Sequence, residues 1–136
     1  MKLRMFLGGS AVAVALTLTG CGGGSGAGGG GNAAPPQALT ITAVEGIKYD
    51  KAELDATANQ PFTVNFVNNG GMQHNFVIKN AAGTDQYFIP GPDKTAYLDN
   101  GQSKTGAPVT LAAGTYEFYC AFPGHEATMK GNVVVK

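Results

Sequence analysis

An all-β sandwich or barrel is the fold class that this 136-residue sequence predicts. Three observations carry that reading. From Ala38 onward apolar residues recur with a period of two, the apolar runs are short, and clusters of Gly, Asn, Asp and Pro separate them. No stretch repeats its apolar residues at helical spacing over an ordinary helix length.

Leu39, Ile41 and Ala43 alternate with Thr40, Thr42 and Val44, which predicts the first strand. Phe62, Val64 and Phe66 alternate with Thr63, Asn65 and Val67, and Asn68-Asn69-Gly70-Gly71 then breaks the chain. Phe76, Val77 and Ile78 form the next apolar run. Between Ala81 and Gln102 the groups Pro90-Gly91-Pro92 and Asp99-Asn100-Gly101 predict loop, with a short helix or an edge strand between them. Val109 and Leu111 lead to the turn Ala112-Ala113-Gly114. Thr115 to Cys120 alternates again, with Tyr116, Phe118 and Cys120 on one face, and Val133-Val134-Val135-Lys136 closes the chain. Several short strands punctuated by turns predict a sandwich or barrel, and internal repeats are absent.

The residues before this domain read differently. Lys2 and Arg4 precede an apolar run from Met5 to Leu18, too short and too broken by glycine for a membrane span but laid out as a secretory leader, residues 1–20. The run ends Leu18-Thr19-Gly20-Cys21, a tetrapeptide that resembles the bacterial lipobox, so Cys21 is the expected lipidation site and new N-terminus. Residues 21–37 contain most of the excess among the 21 glycines, and no apolar side chain in 22–37 exceeds Ala or Pro. Such a segment cannot offset its own ordering entropy and is expected to act as a flexible linker with a reach of roughly 20–25 Å. The expected location is the outer, periplasmic or extracytoplasmic face of a cell membrane, held by lipid. Residues 38–136 are left for one domain.

Charge excludes one class of function. Nine basic residues balance nine acidic ones, and loss of Lys2 and Arg4 with the leader shifts the remainder toward the acidic side. A nucleic-acid binder normally carries a basic stripe, and none is present. The two cysteines suggest a disulfide in an exported protein, but each lies in a motif that uses its sulfur otherwise.

Two short segments carry the chemistry. One is Met72-Gln73-His74-Asn75, opening a strand after the Asn/Gly break. The other is Cys120-Ala121-Phe122-Pro123-Gly124-His125-Glu126-Ala127-Thr128-Met129. The only two histidines of the chain fall one in each. Two imidazoles, one thiolate and a weak axial thioether suit copper cycling between its oxidation states, since sulfur favours Cu(I) and imidazole serves both. His74, Cys120 and His125 are therefore candidate ligands in a plane, with Met129 on the axis. Zinc also binds Cys and His, but a single Cys with a Met disfavours a structural zinc site.

The segment from Cys120 to Gly131 resembles the copper loop of azurins, and residues 38–136 are similar to the plastocyanin/azurin family, the auracyanins of phototrophic bacteria included. The resemblance implies a Greek-key cupredoxin sandwich or barrel of about seven to eight strands. It implies one type 1 (blue) copper ion with His74, Cys120 and His125 as equatorial ligands and Met129 as axial ligand. It further implies that Asn75 ties the two ligand loops together and that the backbone N–H groups of Asn75 and Phe122 donate to the Cys120 sulfur, tuning the potential. Two departures stand out. Gln73 replaces the Gly that azurins place before the first ligand, which puts a close fifth contact in doubt. The azurin disulfide cannot form, because Cys120 is the only Cys of the domain.

Electron transfer without catalysis is the function this implies. Copper oxidases and nitrite-reductase-like enzymes need further copper sites, and no His is spare. A periplasmic copper-binding or chaperone protein is the alternative reading, although such proteins favour Met-rich or multi-Cys sites. Phe122, Pro123 and the edge of His125, flanked by Gly124 and Ala127, form the expected docking patch for a redox protein. Glu126 is expected to steer a cationic partner. Candidate partners are a c-type cytochrome, a membrane oxidoreductase or a photosynthetic reaction centre, met by a tethered monomer.

Overall fold

The computed structural model describes residues 34–136; the leader, Cys21 and most of the linker lie outside the described residues. Ten strands and no helix occur among those residues: β1 (Gln37–Val44), β2 (Lys48–Tyr49), β3 (Glu53–Ala56), β4 (Pro61–Asn68), β5 (Phe76–Lys79), β6 (Asp85–Ile89), β7 (Ser103–Thr105), β8 (Val109–Thr110), β9 (Gly114–Tyr119) and β10 (Lys130–Val135). Two of these are two-residue strands, which largely accounts for the excess over seven to eight. The chain is an all-β sandwich. Gln37, placed by its composition at the end of the linker, is the first residue of β1, where its side chain bridges the Asp55 carbonyl and the Thr57 N–H.

One sheet runs β2-β1-β4-β7, with β8 also paired to β4, and the other runs β3-β10-β9-β5-β6. Both are mixed, because β1 pairs parallel with β4 and β3 parallel with β10. The chain passes from sheet to sheet at β2–β3, β3–β4, β4–β5, β6–β7 and β8–β9, so residues distant in sequence meet across a common core. Alternation decides which face each strand buries. In β4 Phe62, Val64, Phe66 and Asn68 are buried while their neighbours are half-exposed, and in β1 Ile41 and Ala43 are fully buried. β5 instead buries Phe76, Val77 and Ile78 in succession, as a strand held between β9 and β6 with both faces covered does.

An aromatic cluster fills the centre. The Tyr49 ring meets Phe66, Phe76 and Phe118 edge-on at centroid distances of 6.2, 6.0 and 5.4 Å, and its hydroxyl donates to the Asn75 carbonyl at 2.6 Å. Edge-to-face contact suits the ring quadrupoles, and the hydroxyl finds the partner a buried tyrosine needs. Each fully buried Phe contributes about 1.5–3 kcal/mol from its area alone. The segment left open between residues 81 and 102 contains an edge strand, β6, and no helix; the rest is loop.

Candidate metal centre

Strand register alone brings three of the candidate residues to one end of the second sheet. β5 and β9 run antiparallel with Val77 opposite Tyr119 and Ile78 opposite Phe118, so the start of β5 lies beside the end of β9. His74 precedes β5 and Cys120 follows β9, and they are thereby neighbours. β9 and β10 pair antiparallel with Tyr119 opposite Lys130, which places Met129 beside Cys120. His125 returns to the same place through its loop. That loop is held by its own backbone: His125 N–H donates to Phe122 O at 3.0 Å, Met129 N–H to His125 O at 2.8 Å, and Cys120 N–H to Met129 O at 3.0 Å.

The Nδ1 atoms of His74 and His125 each lie 3.7 Å from Cys120 Sγ. One donor atom from each of the three side chains falls within 4.8 Å of the other two, and all three residues are buried. Burial is graded: His74 and Cys120 have no exposure, while His125 keeps 4%. Met129 is fully buried as well. Two imidazole nitrogens and a thiol that face one another, with a thioether residue adjoining, form a donor set that fits a soft or borderline metal ion, copper above all.

Electrostatics at the site follow from burial. It pushes the Cys120 thiol up, and the backbone N–H groups of Asn75 and Phe122, directed at the sulfur, pull in the opposite direction. Burial lowers His74, with repulsion from His125 adding to it and the Gly70 backbone opposing it. Burial also lowers His125. His74 Nε2 is the one buried side-chain nitrogen or oxygen among the described residues without a partner in hydrogen-bonding geometry.

The surrounding residues divide into straps and surface. Asn75 Oδ1 accepts from Ala121 N–H at 2.7 Å, and its Nδ2 donates to the Lys94 and Ala96 carbonyls at 2.9 and 3.1 Å. One side chain thus joins the His74 strand, the Cys120 loop and the loop after β6. The Gln73 side chain does not turn into the site; it is exposed and donates to Asp99 at 2.8 Å. Phe122 is half-buried, its ring 4.6 Å from that of His125 and 5.2 Å from that of Tyr97. Pro123, Gly124 and Ala127 are exposed. Glu126 is paired rather than free: Lys79 Nζ lies 2.8 Å from it and 2.6 Å from Glu117, and 4.4 Å above the Tyr119 ring.

Sequence reasoning passed over Asn68, Tyr49, Tyr97 and Lys79. Asn68 had a legible signal, because it continues the buried face of Phe62, Val64 and Phe66 at the next alternate position. The other three had none, since their contacts cross between segments distant in sequence.

The comparisons agree with this geometry. The model of the family described as copper binding proteins, plastocyanin/azurin family, matches residues 37–136. Auracyanin-B of Chloroflexus aurantiacus is 33% identical over 127 residues, covering 76% of this chain but 54% of that protein, so the match spans about half the length of that relative. Outer membrane protein H.8 of Neisseria gonorrhoeae is 30% identical over 122 residues, covering 72% of this chain and 67% of that one. The solved structure of reduced auracyanin from the photosynthetic bacterium Roseiflexus castenholzii superposes with a TM-score of 0.61 at 34% identity, over 74% of this chain and 97% of that chain. Sandwich, donor cluster and relatives converge on one conclusion: the chain belongs to the plastocyanin/azurin family of copper-binding, electron-transferring cupredoxins.

Proposed function

We propose that this protein is a lipid-anchored type 1 copper carrier that passes one electron at a time between redox partners at the outer face of a cell membrane. The observation that carries the reading is the paired 3.7 Å approach of the His74 and His125 Nδ1 atoms to the buried Cys120 sulfur. Those three atoms would hold one copper ion, with the thioether of the buried Met129 beside them as a weaker donor. The ion supplies a one-electron change between Cu(II) and Cu(I). The protein does the rest. Asn75 locks the two ligand loops to each other, which keeps the donors in place between oxidation states. The Asn75 and Phe122 N–H groups draw charge from the sulfur and so bias the potential.

His125, the ligand that retains some exposure, is the exit for the electron. Phe122 and Pro123 beside it, with Gly124 and Ala127, form the docking surface for a small, short-lived interface. The pairing of Glu126 with Lys79 weakens its expected part in steering. A c-type cytochrome, a membrane oxidoreductase or a photosynthetic reaction centre fits such a surface, and similarity to an auracyanin from a photosynthetic bacterium supports the last. The Leu18–Cys21 motif, together with similarity to a protein named for the outer membrane, supports the anchor on Cys21. The protein acts as a carrier and a monomer; with only two histidines, both in this site, it has none for a catalytic copper.

Addition of Cu(II) to the purified protein, read by visible and electron-spin-resonance spectra, tests the reading. The expected result is an intense red-region thiolate-to-copper band with narrow copper hyperfine splitting, both lost in Cys120→Ser. A pale product with ordinary splitting would overturn the copper-carrier assignment.

A further inference from the structure

We infer that Asn68 is a positioning residue for the metal centre, holding His74 with its Nδ1 turned toward Cys120. The inference rests on the reading of His74 as a copper ligand. Asn68 ends β4 at a position where alternation delivers an apolar side chain, and it is fully buried. A buried carboxamide is costly unless its polar atoms are paired. Here they are. Oδ1 accepts from Gly70 N–H at 3.0 Å, and Nδ2 donates to the carbonyls of Met72 and Leu98, each at 2.8 Å.

These three bonds describe a splint. Gly70 and Met72 belong to the turn that leads into His74, and Leu98 is the residue bridged to His74 by two backbone hydrogen bonds, His74 N–H to Leu98 O at 3.2 Å and Leu98 N–H to His74 O at 2.8 Å. One side chain therefore fixes the turn before the ligand and the strand segment alongside it. The backbone of Asn68 extends the same hold, donating to Gln102 O at 2.8 Å and accepting from Gly101 N–H at 2.6 Å. The turn is drawn so close that a Cβ on Gly70 would overlap the His74 ring. That close approach closes off one side of the imidazole. Around the ring, Nδ1 faces the sulfur, and the Gly70 backbone is the polar neighbour that acts on the imidazole, although Nε2 has no partner in hydrogen-bonding geometry. Orientation comes from the walls of the pocket, and Asn68 holds those walls in place.

The test compares the copper-loaded full chain with Asn68→Ser, Asn68→Asp and Val135→Ala. Asn68→Asp keeps an acceptor for Gly70 N–H and removes both donors; Val135→Ala weakens the core at the far end of β10 from the site. Visible and spin-resonance spectra and copper affinity by competition with a chelator are read at a temperature where each variant is folded. The expected result is a changed thiolate-to-copper band and hyperfine splitting in both Asn68 variants, with about 10- to 100-fold weaker copper binding, and wild-type spectra in Val135→Ala. Folded Asn68 variants with wild-type spectra and affinity would overturn the inference while leaving the copper reading intact. If Asn68→Ser does not fold, the Asn68→Asp spectrum decides by the same criterion. A wild-type protein without the blue band overturns the copper reading and this inference together.

Discussion

At the Cys120 sulfur, burial raises the thiol pKa above its ordinary value, so the metal-free protein holds a proton there at neutral pH. Metal ligation requires the thiolate. Copper binding at pH 7 is therefore expected to release about one proton per site, measurable by calorimetry in buffers of different ionisation enthalpy, and the Cys120→Ser variant should release none. The histidines act in the opposite direction. Burial depresses both His74 and His125 below the ordinary imidazole value. A depressed folded-state pKa means that the unfolded chain takes up protons first as pH falls. The stability these groups contribute is present above the unfolded pKa of about 6.5 and is lost as pH falls from there toward the folded values. The melting temperature of the metal-free protein should accordingly drop between pH 7.5 and pH 5. Asn75 carries the third residue-scale expectation. Replacing it with Leu leaves Ala121 N–H and two loop carbonyls without their partner. At about 1–3 kcal/mol for each buried group left unpaired, Asn75→Leu should cost at least about 2 kcal/mol in a denaturant titration.

Among the elements, β10 has little room near its start. It enters between β9 and β3, and Gly131 passes so close to its neighbours that an added Cβ would overlap the Ala52 carbonyl and the Phe118 ring. Gly131→Ala is expected to destabilise the fold by about 1–3 kcal/mol, read as a lowered midpoint of chemical unfolding with an unchanged slope. The ligand loop between β9 and β10 is strapped to β5 by Lys79 through Glu126, and the same Lys79 pairs with Glu117 on β9. Glu126 is more than half exposed, so solvent screening leaves this strap worth under about 1 kcal/mol. Its larger consequence is for charge. With Lys79 replaced by Met, Glu126 and Glu117 face solvent unpaired, and association with a cationic redox partner should become faster and more salt-dependent in stopped-flow mixing. An unchanged salt dependence would remove Glu126 from any account of steering.

For the whole molecule, the proposed docking surface and tether are the parts that would set the rate of exchange. Phe122→Glu places a charge on the patch beside His125 while leaving the donor atoms in place; electron exchange with the partner should slow and the copper spectrum should persist. Equal exchange rates would move the docking site elsewhere. The anchor is tested by fractionation: Cys21→Ser should shift the protein from the membrane to the soluble fraction, because stable attachment needs the lipid chains that this sulfur would carry.

What the sequence by itself determined is what local pattern and chemistry decide. Period two set β1, β4 and β9 and their buried faces, since a pleated strand turns alternate side chains to one side whatever it pairs with. By contrast, β2, β3 and β7 were not read from it, and β5 buries three residues in a row. The segment from Cys120 to Met129 with His74 pointed to a copper-binding chain, and His74, Cys120 and His125 come together as a candidate metal site. The tertiary structure decided what depends on pairing between distant segments. It joined His74 to Cys120 through the antiparallel register of β5 and β9. It turned Gln73 outward to Asp99, paired Glu126 with Lys79, and made an edge strand of Asp85–Ile89. It also gave Asn68 its task, because a polar residue on a buried face is explained only by the groups that the fold brings to it. Hydrogen bonds and ion pairs are satisfied in space, and sequence separations of 30 or more residues, as between Asn68 and Leu98, leave no periodic trace.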